Sequence, residues 1–121
     1  MHELAICQGL MSQVSNVAAS HGASRVERVI VRVGALSGVE APLLQRAFEV
    51  ARAGTAASEA KLEIQEEPVE VRCRECGAQG GVPANRLLCP ECGDWRVRVT
   101  RGEELTLMSL DLSGLEGEKH V

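Results

Sequence analysis

The stretch that decides the architecture is CRECGAQGGVPANRLLCPECG, residues 73–93. It contains two Cys-x-x-Cys pairs that are separated by twelve residues, and a glycine follows each pair. Two residues between the cysteines let both sulfurs of a pair turn towards one point, and two such pairs complete the tetrahedron that Zn²⁺ prefers. A glycine after each pair lets backbone N–H groups approach the thiolates. The spacing therefore predicts a zinc site with four ligands: Cys73, Cys76, Cys89 and Cys92.

The role of that zinc follows from the number of thiolates. A single Cys-x-x-Cys pair would leave a redox or disulfide function open, but two pairs at this spacing favour metal binding. A closed site with four protein ligands has no open position for water or substrate, which favours a structural role over a catalytic one. A segment of about 30 residues with almost no apolar core needs such a metal to fold.

Two amphipathic helices are predicted outside this segment. Apolar residues recur at three- and four-residue steps from Glu3 to about Ser20, with Leu4 and Cys7 on the apolar stripe. A buried free thiol is the simpler interpretation of Cys7. The second helix is predicted from Pro42 to Gly54. Proline fits the first turn of a helix, where its missing N–H costs nothing.

Three strands complete the expected core, at residues 25–35, 61–69 and 103–111, with Met108 at a core position. The predicted fold class is α/β, with two helices on a small three-stranded mixed sheet and an inserted rubredoxin-like zinc-ribbon domain. If the two strands that flank the ribbon pair, the ribbon lies at the end of a long hairpin. The expected divisions are a discontinuous α/β domain, 1–70 plus 102–112, the ribbon, 71–101, and a flexible polar tail, 113–121.

Charge restricts the possible partners. The chain of 121 residues has a net charge of −4, which argues against a dedicated nucleic-acid binder. Residues 71–101 alone have a net charge of +3, or about +1 once four thiolates and one Zn²⁺ are included, and the remainder has −7. This balance gives little counterion-release driving force for phosphate binding. Arg96 and Arg98 beside Trp95 form either a small contact patch or, more simply, a solvated face. A zinc-ribbon nucleic-acid-binding accessory protein is the alternative function.

No basic region followed by a long apolar run opens the sequence, and no window approaches 18 uninterrupted apolar residues. We therefore expect a cytoplasmic protein with no membrane span. In a reducing compartment, closely spaced cysteines are more often metal ligands than disulfides.

The amino terminus, Met1-His2-Glu3, is a second candidate metal site. The α-amino group, the amide nitrogen of His2 and its imidazole Nδ1 can form fused chelate rings, and the amide or carboxylate of Glu3 can add a further ligand. Nitrogen donors in a plane suit Ni²⁺ or Cu²⁺ better than tetrahedral Zn²⁺. Since protons compete for these groups near neutral pH, the chemistry favours reversible handover. Many chains begin Met-His, so the pattern alone leaves an ordinary terminus open.

Several motifs occur together and in order, and this combination resembles the HypA/HybF family of hydrogenase maturation proteins from end to end apart from the tail. Each motif alone is unspecific. The motifs are Met1-His2-Glu3-Leu4, Gly34-Ala-Leu-Ser-Gly-Val-Glu40, Phe48-Glu49, Leu62-Glu-Ile64 and the two cysteine pairs.

The resemblance implies a nickel metallochaperone without enzymatic activity. It implies that His2 is an essential Ni(II) ligand, that Met1 and Glu3 contribute, and that the ribbon cysteines hold Zn(II). The implied partners are the nickel-inserting GTPase of the same pathway and the hydrogenase large subunit, and some members of the family also serve urease maturation. A monomer or weak homodimer is expected. A purely structural adaptor remains a third possibility, for which replacing His2 would not affect maturation.

Overall fold

The computed structural model describes residues 3–115, and residues 1–2 and 116–121 lie outside the described part. The described chain forms two helices and six strands. Their bounds are α1 Glu3–Ser20, β1 Ala23–Gly34, α2 Ala41–Ala51, β2 Lys61–Glu67, β3 Val69–Cys73, β4 Gln79–Val82, β5 Val97–Arg101 and β6 Leu105–Leu115.

Both predicted helices are confirmed. The buried face of α1 is a narrow stripe at three- and four-residue steps, and Leu4 lies beside it with 47% of its surface exposed, so its predicted core position was wrong. In α2, Pro42 lies in the first turn, and Leu44 and Phe48 are almost completely buried. The buried residues of α1 are Glu3, Cys7, Leu10, Met11, Val14 and Ala18.

The first sheet has the strand order β2-β1-β6. At the carboxyl end of β1, the N–H of Ala35 donates to the carbonyl of Glu67 at 3.0 Å, and the N–H of Gly34 donates to that of Glu104 at 2.9 Å. Since β2 ends there and β6 begins there, β2 is parallel to β1 and β6 is antiparallel. The predicted mixed sheet of three strands is confirmed. The two strands that flank the ribbon do not pair with each other, because β1 lies between them, so they form no hairpin.

The strand predicted at 61–69 is interrupted. Pro68 has no N–H to continue a ladder, so β2 ends at Glu67 and β3 begins one residue after the proline.

The last strand is longer than expected, because it reaches Leu115, inside the predicted tail. A cross-strand hydrogen bond stabilises this extension: Ser113 Oγ donates to the Glu27 carboxylate at 2.7 Å. The core position predicted for Met108 was wrong, since 42% of this side chain is exposed.

The second sheet has the order β4-β3-β5, and both pairs are antiparallel. One face of β3 is buried at Val69, Val71 and Cys73, while Arg72 on the other face is exposed. Arg72 lies directly opposite Arg98 of β5. The central strand thus presents one face to the small core of this sheet and an arginine to solvent.

The chain divides into two compact units. Of the described residues, the first contains 3–31, 40–64 and 107–115, which include α1 and α2. The second contains residues 32–39 and 65–106, which include all four cysteines of the two pairs. Within residues 3–115, no helix is long and apolar enough to cross a membrane.

Candidate metal centre

Four sulfur atoms meet in the second unit. The Sγ atoms of the two cysteine pairs all lie within 4.8 Å of one another, and within residues 3–115 this is the group of potential metal ligands that the structure brings together. Between the pairs, the Cys73 and Cys92 sulfurs are 3.7 Å apart, and those of Cys76 and Cys89 are 3.5 Å apart. A tetrahedron with Zn–S bonds of about 2.3 Å has edges of about 3.8 Å. The four thiols therefore fit Zn²⁺ in size and in number.

The first cysteine pair forms a tight turn around its own sulfur. The N–H groups of Glu75 and Cys76 point at Cys73 Sγ, at 3.3 and 3.4 Å. The N–H of Gly77 donates to the Cys73 carbonyl at 3.1 Å, and the N–H of Cys73 donates to the Ala78 carbonyl at 2.8 Å. Gly77 has φ of 75°, the left-handed conformation that favours glycine.

The second pair repeats this pattern. The N–H groups of Glu91 and Cys92 point at Cys89 Sγ, both at 3.4 Å. The N–H of Gly93, with φ of 74°, donates to the Cys89 carbonyl at 3.0 Å. Since neither sulfur depends on the other pair for these contacts, each turn orders one sulfur by itself.

The backbone favours the thiolate form of Cys89, the first cysteine of the second pair. The N–H of Cys92 is the main cause that lowers the pKa of the Cys89 thiol to about 6; burial opposes this shift and the N–H of Glu91 supports it. Cys73 and Cys89 are buried and their two partners are exposed. A metal held here would therefore be sheltered on one side and near solvent on the other.

An ion-pair network links the two turns. Arg96 donates to both carboxylate oxygens of Asp94, at 3.0 and 2.8 Å, and pairs with Glu75 at 2.9 Å. The hydrogen bond from the Arg96 side chain is the main cause that lowers the pKa of Asp94 to about 2. Asp94 follows the second cysteine pair and Glu75 lies within the first, so Arg96 connects the two halves of the site.

Trp95 lies beside this network with 74% of its surface exposed, and the Arg96 guanidinium is 5.8 Å from the centre of its ring. The sequence placed Arg96 in a solvated patch and did not predict its contacts with Asp94 and Glu75. An Asp-x-Arg spacing next to a cysteine pair was the available signal. The contact with Glu75 needed the fold, since it forms only when the two turns meet.

Of the predicted nickel ligands, the structure describes Glu3 alone. Met1 and His2 lie outside the described residues. Glu3 begins α1 and is the buried charged residue of the described chain, with 6% of its surface exposed. The prediction for Cys7 is confirmed: it is fully buried, its Sγ is 3.7 Å from the Leu44 carbonyl, and burial is the main cause that raises its pKa to about 11.

A family model described as hydrogenase/urease nickel incorporation, metallochaperone, HypA matches residues 1–112. The chain belongs to the HypA family. The resemblance inferred from the motifs is thereby confirmed, and the match spans both the amino terminus and the four-cysteine cluster.

Individual HypA proteins match over nearly the whole chain. The hydrogenase maturation factor HypA of Nitrosospira multiformis is 51% identical over 112 residues, which are 93% of this chain and 97% of the relative. That of Aquifex aeolicus is 36% identical over 112 residues, again 93% and 97% of the two chains. The solution structure of the Ni metallochaperone HypA from Helicobacter pylori has a TM-score of 0.72 at 31% identity, covering 93% of this chain and 97% of that one.

Proposed function

We propose that this HypA-family chain carries Ni(II) at its amino terminus and passes it on during maturation of [NiFe]-hydrogenase. His2 supplies the imidazole, and the amine of Met1 and the Glu3 side chain or amide complete the ligand set. The family match over residues 1–112, which includes this tripeptide, carries the proposal. The nitrogen and oxygen donors suit Ni²⁺. Protons compete with the metal for these donors, so a fall in pH favours release of nickel.

The four ribbon cysteines hold Zn(II) in a structural role. All four ligand positions are thiolates, two of them buried and each of those two approached by a pair of backbone N–H groups. Four thiolates leave the metal no open coordination position for water or substrate, so its contribution is to fold the segment around it.

The carrier works in the cytoplasm without catalysing a reaction itself. Its partners are the nickel-inserting GTPase of the pathway and the hydrogenase large subunit, and urease maturation factors are a further candidate. The protein is a monomer or weak homodimer. We further propose that an α/β domain, 1–70 plus 102–112, and a ribbon, 71–101, fold separately, and that only the ribbon depends on zinc.

The nickel site is tested by comparing amino termini. Ni²⁺ is titrated into zinc-loaded protein that begins at Met1 and into protein extended by a few residues, which converts the amine to an amide and keeps every side chain. The extension and His2→Ala should each weaken nickel binding by about tenfold or more, because each removes a ligand.

His21→Ala is the matched control. His21 is exposed directly after α1, and its Nδ1 is 2.9 Å from the Val17 carbonyl, so its loss removes an imidazole without touching the proposed site. X-ray absorption should detect an imidazole ligand on nickel in the His21 variant and not in the His2 variant. Equal nickel affinities for the native and extended termini would refute the proposed ligands.

A further inference from the structure

A groove on the ribbon is lined by three arginines. The groove has a volume of about 550 Å³ and is lined by Arg72, Arg74 and Arg98 together with Cys73 and Gly77. All three arginines are exposed. Among the described residues, none of them has a carboxylate within ion-pair distance or a side-chain hydrogen bond.

The register of the sheet forces two of these charges together. Arg72 and Arg98 are direct cross-strand partners, and like charges in that position destabilise a sheet. Arg74 follows β3, and its N–H donates to the carbonyl of Arg96, directly before β5, at 2.8 Å. This hydrogen bond holds the backbone of Arg74 beside the start of β5. Backbone pairing therefore places three arginines on one concave surface.

The neighbouring carboxylates are engaged elsewhere. Glu70 accepts from Gln79 at 2.7 Å and lies 3.9 Å from Arg101. Glu75 and Asp94 both pair with Arg96. Zinc thiolates, including that of Cys73, would offset part of the positive charge of the arginines. The lone pairs of the Cys73 sulfur, however, would be directed to the metal and to the backbone N–H groups of Glu75 and Cys76. The guanidinium groups thus keep their donors for an external anion.

The chemistry of the groove favours carboxylates over phosphates. Guanidinium groups form bidentate pairs with either anion. Three phosphate contacts would give only weak, salt-sensitive nucleic-acid binding, and no aromatic side chain lines the groove to stack a base.

We propose that the groove formed by Arg72, Arg74 and Arg98 is a docking site for an acidic segment of a partner protein, one with closely spaced Asp or Glu side chains. The groove adjoins the zinc site, since Cys73 is part of its lining, and the proposed docking does not depend on nickel at the amino terminus. An acidic segment that enters it neutralises the opposed arginines of β3 and β5, so binding should also stabilise the ribbon.

The test uses zinc-loaded full-length protein and two labelled probes, octaglutamate and an oligothymidylate of matched length. Binding of each probe is measured by fluorescence anisotropy at low and at physiological salt. Arg98→Glu should weaken octaglutamate binding by about tenfold, because it removes one donor and places a carboxylate opposite Arg72. Arg98→Gln should weaken it less. Arg46→Glu is the control: Arg46 is exposed on α2, so the variant has the same net charge with the groove intact.

Both Arg98 variants must retain one zinc per chain, which excludes misfolding as the cause of weaker binding. The Arg side-chain Nε–H signals of Arg72 and Arg74 should shift during the octaglutamate titration. Equal losses in Arg98→Glu and Arg46→Glu would overturn the proposal, as would no octaglutamate binding at low salt. Tighter binding of the oligothymidylate that is lost in Arg98→Glu would assign the groove to nucleic acid instead.

Discussion

Substitution of Gly77 or Gly93 by alanine tests how much the left-handed backbone conformation at each position contributes to zinc binding. Both residues have positive φ, 75° and 74°, and no heavy atom lies within 4 Å of the position that a Cβ would occupy. Alanine therefore meets no clash, and its entire cost is that of the left-handed conformation, about 1–2 kcal/mol. Since the two turns make the same hydrogen bonds, the two substitutions should cost the same.

This cost should appear as weaker zinc binding, because metal binding and folding of the ribbon are coupled. A loss of about 1–2 kcal/mol corresponds to an affinity that is about 5- to 30-fold lower. The measurement is competition for zinc against a chromophoric chelator at constant pH, for Gly77→Ala, for Gly93→Ala and for the unmodified chain.

Gly9→Ala is the control, since the same methyl group should have the opposite effect there. Gly9 is exposed within α1, and no heavy atom lies within 4 Å of its Cβ position. Alanine should raise the free energy of unfolding of the helical unit by about 0.5–1 kcal/mol and leave zinc affinity unchanged. Zinc affinities within twofold of the unmodified chain for both Gly77→Ala and Gly93→Ala would refute the coupling of backbone conformation to metal binding.

Three further substitutions or treatments test the rest of the structure. Because burial raises the pKa of Cys7 to about 11, little of this thiol is ionised at pH 8. Its alkylation by iodoacetamide, followed by mass spectrometry, should be at least about tenfold slower than that of a free peptide thiol. A comparable rate would contradict the burial of Cys7. Phe48→Ala should destabilise the helical unit by about 3–5 kcal/mol in denaturant unfolding without loss of zinc. Cys73→Ala should lose zinc and the near-ultraviolet signal of Trp95 while α1 and α2 keep their far-ultraviolet signal; loss of both signals together would show that the two units fold as one.

The metal cluster was predictable because its determinants are local. The two-residue spacing within each cysteine pair fixes the turn, and the following glycine supplies the left-handed conformation. Both helices were likewise predictable from three- and four-residue periodicity and from Pro42. Periodicity did not fix the edge of the buried stripe, so Leu4 was placed in a core that it does not enter.

The topology could not be predicted from local patterns. Nothing in the sequences of β2 and β6 shows that β1 lies between them, because strand pairing depends on contacts distant in the chain. The same holds for Arg72 opposite Arg98, which follows from the register of β3 against β5. The role of Arg96 needed both turns to be in place before Glu75 came within reach.

The position of β1 between β2 and β6 has a practical consequence for protein engineering. The polypeptide leaves the first sheet at one edge, at Glu67, and re-enters at the opposite edge, at Leu105. These edges are two interstrand spacings apart, about 10 Å, so a replacement for the excised segment must pass over the end of the middle strand. A tight two-residue reverse turn is too short for that path. A minimised version of this protein will need a bridge of at least about three extended residues.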